Sequence, residues 1–144
     1  MTRAQQIADG LAGVRDRIAR AEQAAGRPAG AVRLVAVSKK MPAEDVRAAI
    51  AAGQRTFGEN YGQELRDKRA ALAGDPQPPE WHFIGPLQTN KVKYVAGQVT
   101  VVHTIDSIAL LEAFESRGVT QDCLVQVNVA GEAQKRGLAA DALP

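Results

Sequence analysis

The length and charge of the chain narrow the classes of protein to which it can be assigned. Its 144 residues include 18 Lys and Arg and 16 Asp and Glu, giving a formal net charge of +2. This near balance argues against a dedicated nucleic-acid-binding protein, which usually carries a marked basic excess. Hydrophobic residues make up 45% of the chain, enough for a real core. A complete (β/α)₈ barrel needs about 250 residues, so we expect one smaller or incomplete domain over residues 1–144.

The sequence also indicates a cellular compartment. Cys123 is the single cysteine, which excludes an internal disulfide and fits a reducing environment. The opening residues lack the apolar run of a secretory signal, and no stretch approaches the length of a membrane span. The sequence therefore predicts a cytoplasmic protein without membrane contact.

The first predicted element is a long helix that ends at Gly26-Arg27-Pro28. Its apolar residues recur at steps of three and four and share one face: Ile7, Leu11, Val14, Ile18 and Ala21. Five short apolar runs bounded by turn residues then predict strands over residues 32–37, 55–58, 81–84, 98–103 and 123–129.

Helical segments lie between these strands, over residues 42–52, 61–73, 90–96 and 107–117. Gly53 is the expected C-cap of the first of them, and Asp106 the expected N-cap of the last. Strands that alternate with helices predict parallel βαβ units. The sequence ends at residues 142–144, where a further crossover helix is expected, so we expect an incomplete α/β fold.

Polar and glycine residues follow every predicted strand, at the edge where parallel α/β folds bind ligands. These segments are Ser38-Lys39, Gly58-Glu59-Asn60, Gly85-Pro86, Thr104-Ile105-Asp106 and Asn128. They are either ordinary polar turns or parts of a binding site. Lys39 ends an apolar run, where desolvation would lower the pKa of its amine from about 10.4. A neutral amine could attack an aldehyde and form a Schiff base, whereas an ordinary surface lysine would extend into solvent.

Four blocks of the sequence carry a resemblance to a known family. They are Val35-Ala36-Val37-Ser38-Lys39, Phe57-Gly58-Glu59-Asn60-Tyr61, the segment from Trp81 to Lys91 (WHFIGPLQTNK), and His103-Thr104-Ile105-Asp106. The blocks occur in order, and the third is long and specific. Together they resemble the pyridoxal phosphate (PLP) homeostasis protein family, single-domain relatives of the alanine racemase barrel.

The resemblance implies a parallel (β/α) barrel of the TIM type, PLP fold type III, here truncated to about its first five strands. It implies PLP as the cofactor and Lys39 as the Schiff-base lysine, with Asn60, His82 and Lys135 as further cofactor-binding residues. No catalytic or metal-binding residue is implied. Met41 departs from the family, which commonly has a second lysine there, and the segments that hold the PLP phosphate in the family are absent from this sequence.

Several of these residues have a simpler interpretation. His82 is alternatively a core histidine bonded to a backbone carbonyl, and Lys135 a solvated loop charge. Lys68 and Lys91 also match family lysines, but a charged helix face accounts for both. His103 is expected to be a core residue.

The leading functional interpretation is a PLP carrier or homeostasis protein without turnover. Its expected partners are PLP and PLP-dependent apoenzymes, and we expect a monomer in the full-length family and self-association of this shorter chain. An amino-acid racemase is the first alternative, although it needs a second acid/base group opposite the lysine. An RNA- or protein-binding module that uses Lys91, Lys93 and Tyr94 is the second.

Overall fold

The computed structural model describes residues 1–143, in which helices and strands alternate as the sequence predicts. The four α-helices are α1 (Arg3–Ala24), α2 (Ala43–Ala51), α3 (Gly62–Ala71) and α4 (Ile108–Glu115). The five strands are β1 (Ala36–Val37), β2 (Thr56–Glu59), β3 (Glu80–Phe83), β4 (Val101–Ile105) and β5 (Asp122–Val125). Two 3₁₀ helices cover Thr89–Tyr94 and Ala140–Ala142. Within residues 1–143, no helix is both long enough and apolar enough to cross a membrane.

The strands form one parallel sheet in the order β1-β2-β3-β4-β5. Every strand therefore pairs with its neighbour in sequence, and the carboxyl ends of all five meet at one edge, as in part of a TIM-like fold. The register places Gly58 beside His82, and Phe57 beside Trp81. β1 and β5 are the outer strands of the sheet.

One face of the sheet packs against the helices and forms the core. Phe57, Trp81 and Phe83 belong to the same buried cluster as Val46 of α2 and Leu65 of α3. The rings of Phe57 and Trp81 lie 5.8 Å apart between centroids, a favourable aromatic contact. Because side chains alternate along a strand, Gly58 and His82 lie on the opposite face.

That opposite face, which we call the open face, is partly exposed. Val37 of β1 is 53% exposed and Leu124 of β5 is 49% exposed. A Cβ atom placed on Gly58 would come within 2.9 Å of the Ile84 side chain and 3.2 Å of Val35, so this face is tightly filled around β2. The outer strands of the sheet are thus less covered than its centre.

The first strand is shorter than the predicted 32–37 for a local reason. The backbone N–H groups of Gly30 and Val32 donate to the buried carboxylate of Glu22 at 3.0 and 2.7 Å. These hydrogen bonds hold the pKa of Glu22 below its usual value. The Val32 amide therefore bonds a side chain of α1, and strand pairing begins only at Ala36.

The cap of α4 also differs from the prediction. Ser107, not Asp106, is the N-cap, and its hydroxyl accepts a hydrogen bond from the Leu110 N–H at 3.2 Å. The Asp106 carboxylate instead accepts from Arg136 Nε at 2.8 Å. The other boundaries shift by a few residues; β4 begins at Val101 because the Gln98 N–H closes a turn onto the Val95 carbonyl.

Candidate functional site

Lys39 lies in a tight turn directly after β1. The turn is closed by the Met41 N–H, which donates to the Ser38 carbonyl at 3.0 Å. Lys40 has a φ of 61°, in the left-handed region that residues other than glycine rarely adopt. Lys39 is exposed in this turn, so the predicted desolvation of its amine is wrong for this chain. Its side chain makes no hydrogen bond or ion pair with any residue from 1 to 143.

A buried polar cluster lies beneath this turn, between the sheet and α3. Lys68 Nζ is 2.5 Å from Glu59 Oε1 and 2.5 Å from the Ser38 carbonyl oxygen, and donates to both. The Ser38 hydroxyl also donates to Glu59 Oε1, at 2.6 Å. The cluster joins the end of β1, the end of β2 and the middle of α3.

The position of Lys68 contradicts the expectation of a charged, solvated helix face. The residue is only 5% exposed, and it lies on the same side of α3 as buried Leu65. The spacing of Leu65, Lys68 and Leu72 at three and four residues is the sequence signal that indicates an inward-facing lysine. Such a lysine needs a buried acidic partner, which Glu59 provides.

Burial raises the pKa of Glu59 above its usual value, and the hydrogen bonds from Lys68 and Ser38 act in the opposite direction. Only one oxygen of this carboxylate is bonded; Oε2 has no partner within the described residues. Glu64, one helical turn before Lys68, lies 3.6 Å from its Nζ and accepts a hydrogen bond from the Lys40 N–H at 2.6 Å. Both neighbours of Lys39 are therefore held by side chains.

His82 belongs to a second polar group, on the open face. Its Nδ1 lies 2.9 Å from His103 Nε2, and its Nε2 lies 3.1 Å from Glu80 Oε1. His82 is buried, as the alternative interpretation of a core histidine requires, but its ring nitrogens face the His103 and Glu80 side chains and not a backbone carbonyl. His103 is partly exposed rather than a fully buried core residue. Glu80 begins β3, so this group extends from His82 towards the amino ends of the strands, and the predicted cofactor contact of His82 remains a prediction.

Asn60 lies at the edge of a cleft of about 360 Å³ at the carboxyl ends of β2 and β3. The polar residues that line the cleft are Asn60, Tyr61, Gln63, Gln88, Lys91, Tyr94 and Arg136. The side-chain oxygen of Asn60 is buried and has no hydrogen-bond partner among residues 1–143. The ammonium groups of Lys91 and Lys93 lie 5.7 and 5.1 Å from the centre of the Tyr94 ring.

The four predicted cofactor residues do not share one cavity in this structure. Asn60 lines the cleft, whereas Lys39, His82 and Lys135 do not. Lys135 is solvent-exposed, and its Nζ lies 4.0 Å from Glu132 Oε2. Its predicted contact with the cofactor remains a prediction. Arg136, the next residue, lines the cleft instead, and no pattern in the sequence assigns it a role.

The curated proteins that resemble this chain share one name. No family model matches the chain. It is 46% identical to the pyridoxal phosphate homeostasis protein of Pseudomonas aeruginosa, over 96% of this chain and 61% of that protein. It is 47% identical to the pyridoxal phosphate homeostasis protein of Deinococcus radiodurans, over 93% of this chain and 62% of that protein.

A solved structure supports the same relationship. PipY of Synechococcus elongatus PCC7942, with PLP bound, matches with a TM-score of 0.73 and 33% identity, over 92% of this chain and 57% of that one. The resemblance predicted from the four sequence blocks is thereby confirmed: the chain is a relative of the pyridoxal phosphate homeostasis proteins and spans about three fifths of their length.

Proposed function

We propose that this chain forms the lysine-bearing part of a PLP-binding site and serves PLP homeostasis without catalysing a reaction of its own. The observation that carries the proposal is the Lys39 amine, which is accessible at the carboxyl edge of the sheet and unpaired among the described residues. The names of the relatives support a homeostasis role. PLP and PLP-dependent apoenzymes are the proposed partners, and the five strands are proposed to be part of a (β/α)₈ barrel of PLP fold type III.

The residues present fit one end of the cofactor. PLP supplies an aldehyde that a neutral lysine amine can attack. The Lys39 side chain is exposed and pairs with no carboxylate within residues 1–143, so an aldehyde can approach its amine. The unpartnered oxygen of Asn60 is a buried acceptor at the neighbouring strand end, and it can orient a donor group. His82 and Lys135 are proposed as further contacts.

The experiment that tests this proposal is covalent trapping. The chain is incubated with PLP, reduced with borohydride and digested, and the pyridoxyl group is located by peptide mass spectrometry. We expect the label mainly on Lys39, through a Schiff base. Lys39→Ala should abolish it, whereas Lys93→Ala removes an exposed lysine outside the strand ends and should leave it unchanged. Equal labelling of many lysines, unaltered in Lys39→Ala, would contradict the assignment.

A further inference from the structure

We propose that Glu64 and Lys68 of α3 are positioning residues for the amine of Lys39, because they hold the backbone on both sides of it. This inference rests on the proposed function of Lys39. Neither residue contacts the Lys39 side chain through a hydrogen bond or ion pair. They act on the turn that carries it.

The first set of contacts fixes Ser38, the residue before Lys39. Ser38 is 5% exposed, and its carbonyl oxygen accepts from Lys68 Nζ while its hydroxyl donates to Glu59. Its N–H donates to the Gly58 carbonyl of β2 at 3.1 Å. The backbone and side chain of Ser38 are thus both fixed, and Lys68 supplies the contact that comes from outside the sheet.

The second contact fixes Lys40, the residue after Lys39. The Lys40 N–H donates to Glu64 Oε1 at 2.6 Å, a hydrogen bond strengthened by the charge of the carboxylate. Lys40 has a positive φ, a conformation that persists only when its surroundings impose it. Glu64 is the side chain that bonds this amide, so it stabilises the unusual backbone conformation.

The contacts of Lys68 with Ser38 and of Glu64 with Lys40 are coupled through α3. Glu64 and Lys68 are four residues apart on the helix, and Glu64 Oε1 lies 3.6 Å from Lys68 Nζ. A buried ion pair such as Lys68–Glu59 is weak evidence for stability alone, since removing two charges from water is costly. Its arrangement around a turn with an exposed lysine instead fits preorganisation, which reduces the conformational freedom lost when that amine reacts.

The main test uses Glu64, because its side chain is only partly buried and its loss should leave the fold intact. Glu64→Ala removes the acceptor for the Lys40 N–H, and Glu64→Gln retains an acceptor oxygen. We expect hydrogen exchange of the Lys40 amide to become roughly tenfold faster in Glu64→Ala. PLP labelling of Lys39 should slow by about threefold or more. Glu64→Gln should restore most of both values, and Glu112→Ala, an exposed helix glutamate, should change neither.

The outcomes separate the two proposals. Unchanged exchange at Lys40 in Glu64→Ala overturns the positioning role, and so does faster exchange with unchanged labelling of Lys39. Absence of Lys39 label in the unsubstituted chain overturns the proposed function, while the exchange measurement still reports on the turn. Lys68→Met in combination with Glu59→Gln, which avoids an unpaired buried charge, should also slow labelling of Lys39 in a folded chain; an unaltered rate would contradict the role of Lys68.

Discussion

At the scale of single residues, the imidazole rings of His82 and His103 form a defined hydrogen-bonding arrangement. The Glu80 carboxylate accepts from His82 Nε2–H, so a neutral His82 must accept through Nδ1 from His103 Nε2–H. Glu80 also lies 3.1 Å from Arg33, and the hydrogen bond from His82 is the main reason that the pKa of Glu80 is lowered. Each of these two hydrogen bonds therefore has one donor and one acceptor.

This arrangement predicts a pH dependence of stability. Burial lowers the pKa of His103 below its usual 6.5, and the charge of His82 acts in the same direction. Between that lowered pKa and 6.5 the unfolded chain binds more protons than the folded one, so stability falls as the pH decreases through this window. We expect Tm to drop by about 2–4 °C from about pH 7.5 to about pH 5.5.

His103→Gln is the control for this effect, since it removes the titrating ring and keeps polar atoms at the site. The drop in Tm should be clearly smaller in this variant. The lowered pKa of Glu80 contributes separately, because its stabilisation is lost only as the pH falls below 4.5. Equal pH profiles of Tm in the two chains over the higher window would contradict the prediction.

At the scale of elements, the approach of the β2 and β3 strand ends depends on Gly85. A Cβ atom at this position would lie 2.4 Å from the backbone oxygen of Asn60, which cannot move aside as a flexible side chain could. The loop after β3 therefore packs directly on the backbone that carries Asn60.

Gly85→Ala should destabilise the chain by about 1–3 kcal/mol, because the loops after β2 and β3 must separate. The matched control is Gly10→Ala in α1, where an added Cβ meets nothing within 4 Å. That change should stabilise the helix by up to about 1 kcal/mol. Urea denaturation measures both. A Gly85→Ala chain as stable as the parent would show that the contact is not a constraint.

The elements differ in how far the sequence predicts them. Short apolar runs bounded by turns correctly predict five parallel strands, because such runs are typical of strands that pack against helices. The start of β1 is not predictable in this way, since the Glu22 carboxylate, ten residues earlier, takes the Val32 amide. The Lys68–Glu59 pair does not follow from the predicted charged helix face, although the spacing of Lys68 from Leu65 indicates burial.

The candidate site is predictable only in part, because some of its contacts join residues that are far apart in the sequence. The positions of Lys39 and Asn60 at strand ends follow from the alternation of strands and turns. The conformation of the Lys39 turn depends on two long-range contacts. Lys40 contacts Glu64, 24 positions away, and Ser38 contacts Lys68, 30 positions away. No local pattern records which charged side chains meet across such distances.

At the scale of the whole molecule, the open sheet is the dominant feature. Among residues 1–143, β1 and β5 each have a strand partner on one side only. Val37 and Leu124, on these two outer strands, are about half exposed. Unpaired strand edges and exposed apolar side chains promote pairing with other chains.

We therefore predict that the purified 144-residue chain self-associates and binds PLP weakly. The proposed contacts of Lys39 and Asn60 concern only the aldehyde end of the cofactor, whereas the phosphate needs several backbone N–H donors, typically at a helix N-terminus. Loss of a few charge-assisted hydrogen bonds costs several kcal/mol, and each 1.4 kcal/mol is about tenfold in affinity. The affinity should thus be at least about a hundredfold below that of PipY, measured alongside as the control. Absorbance titration with PLP and light scattering provide the test. A monodisperse monomer that binds stoichiometric PLP at micromolar concentration would contradict both parts of the prediction.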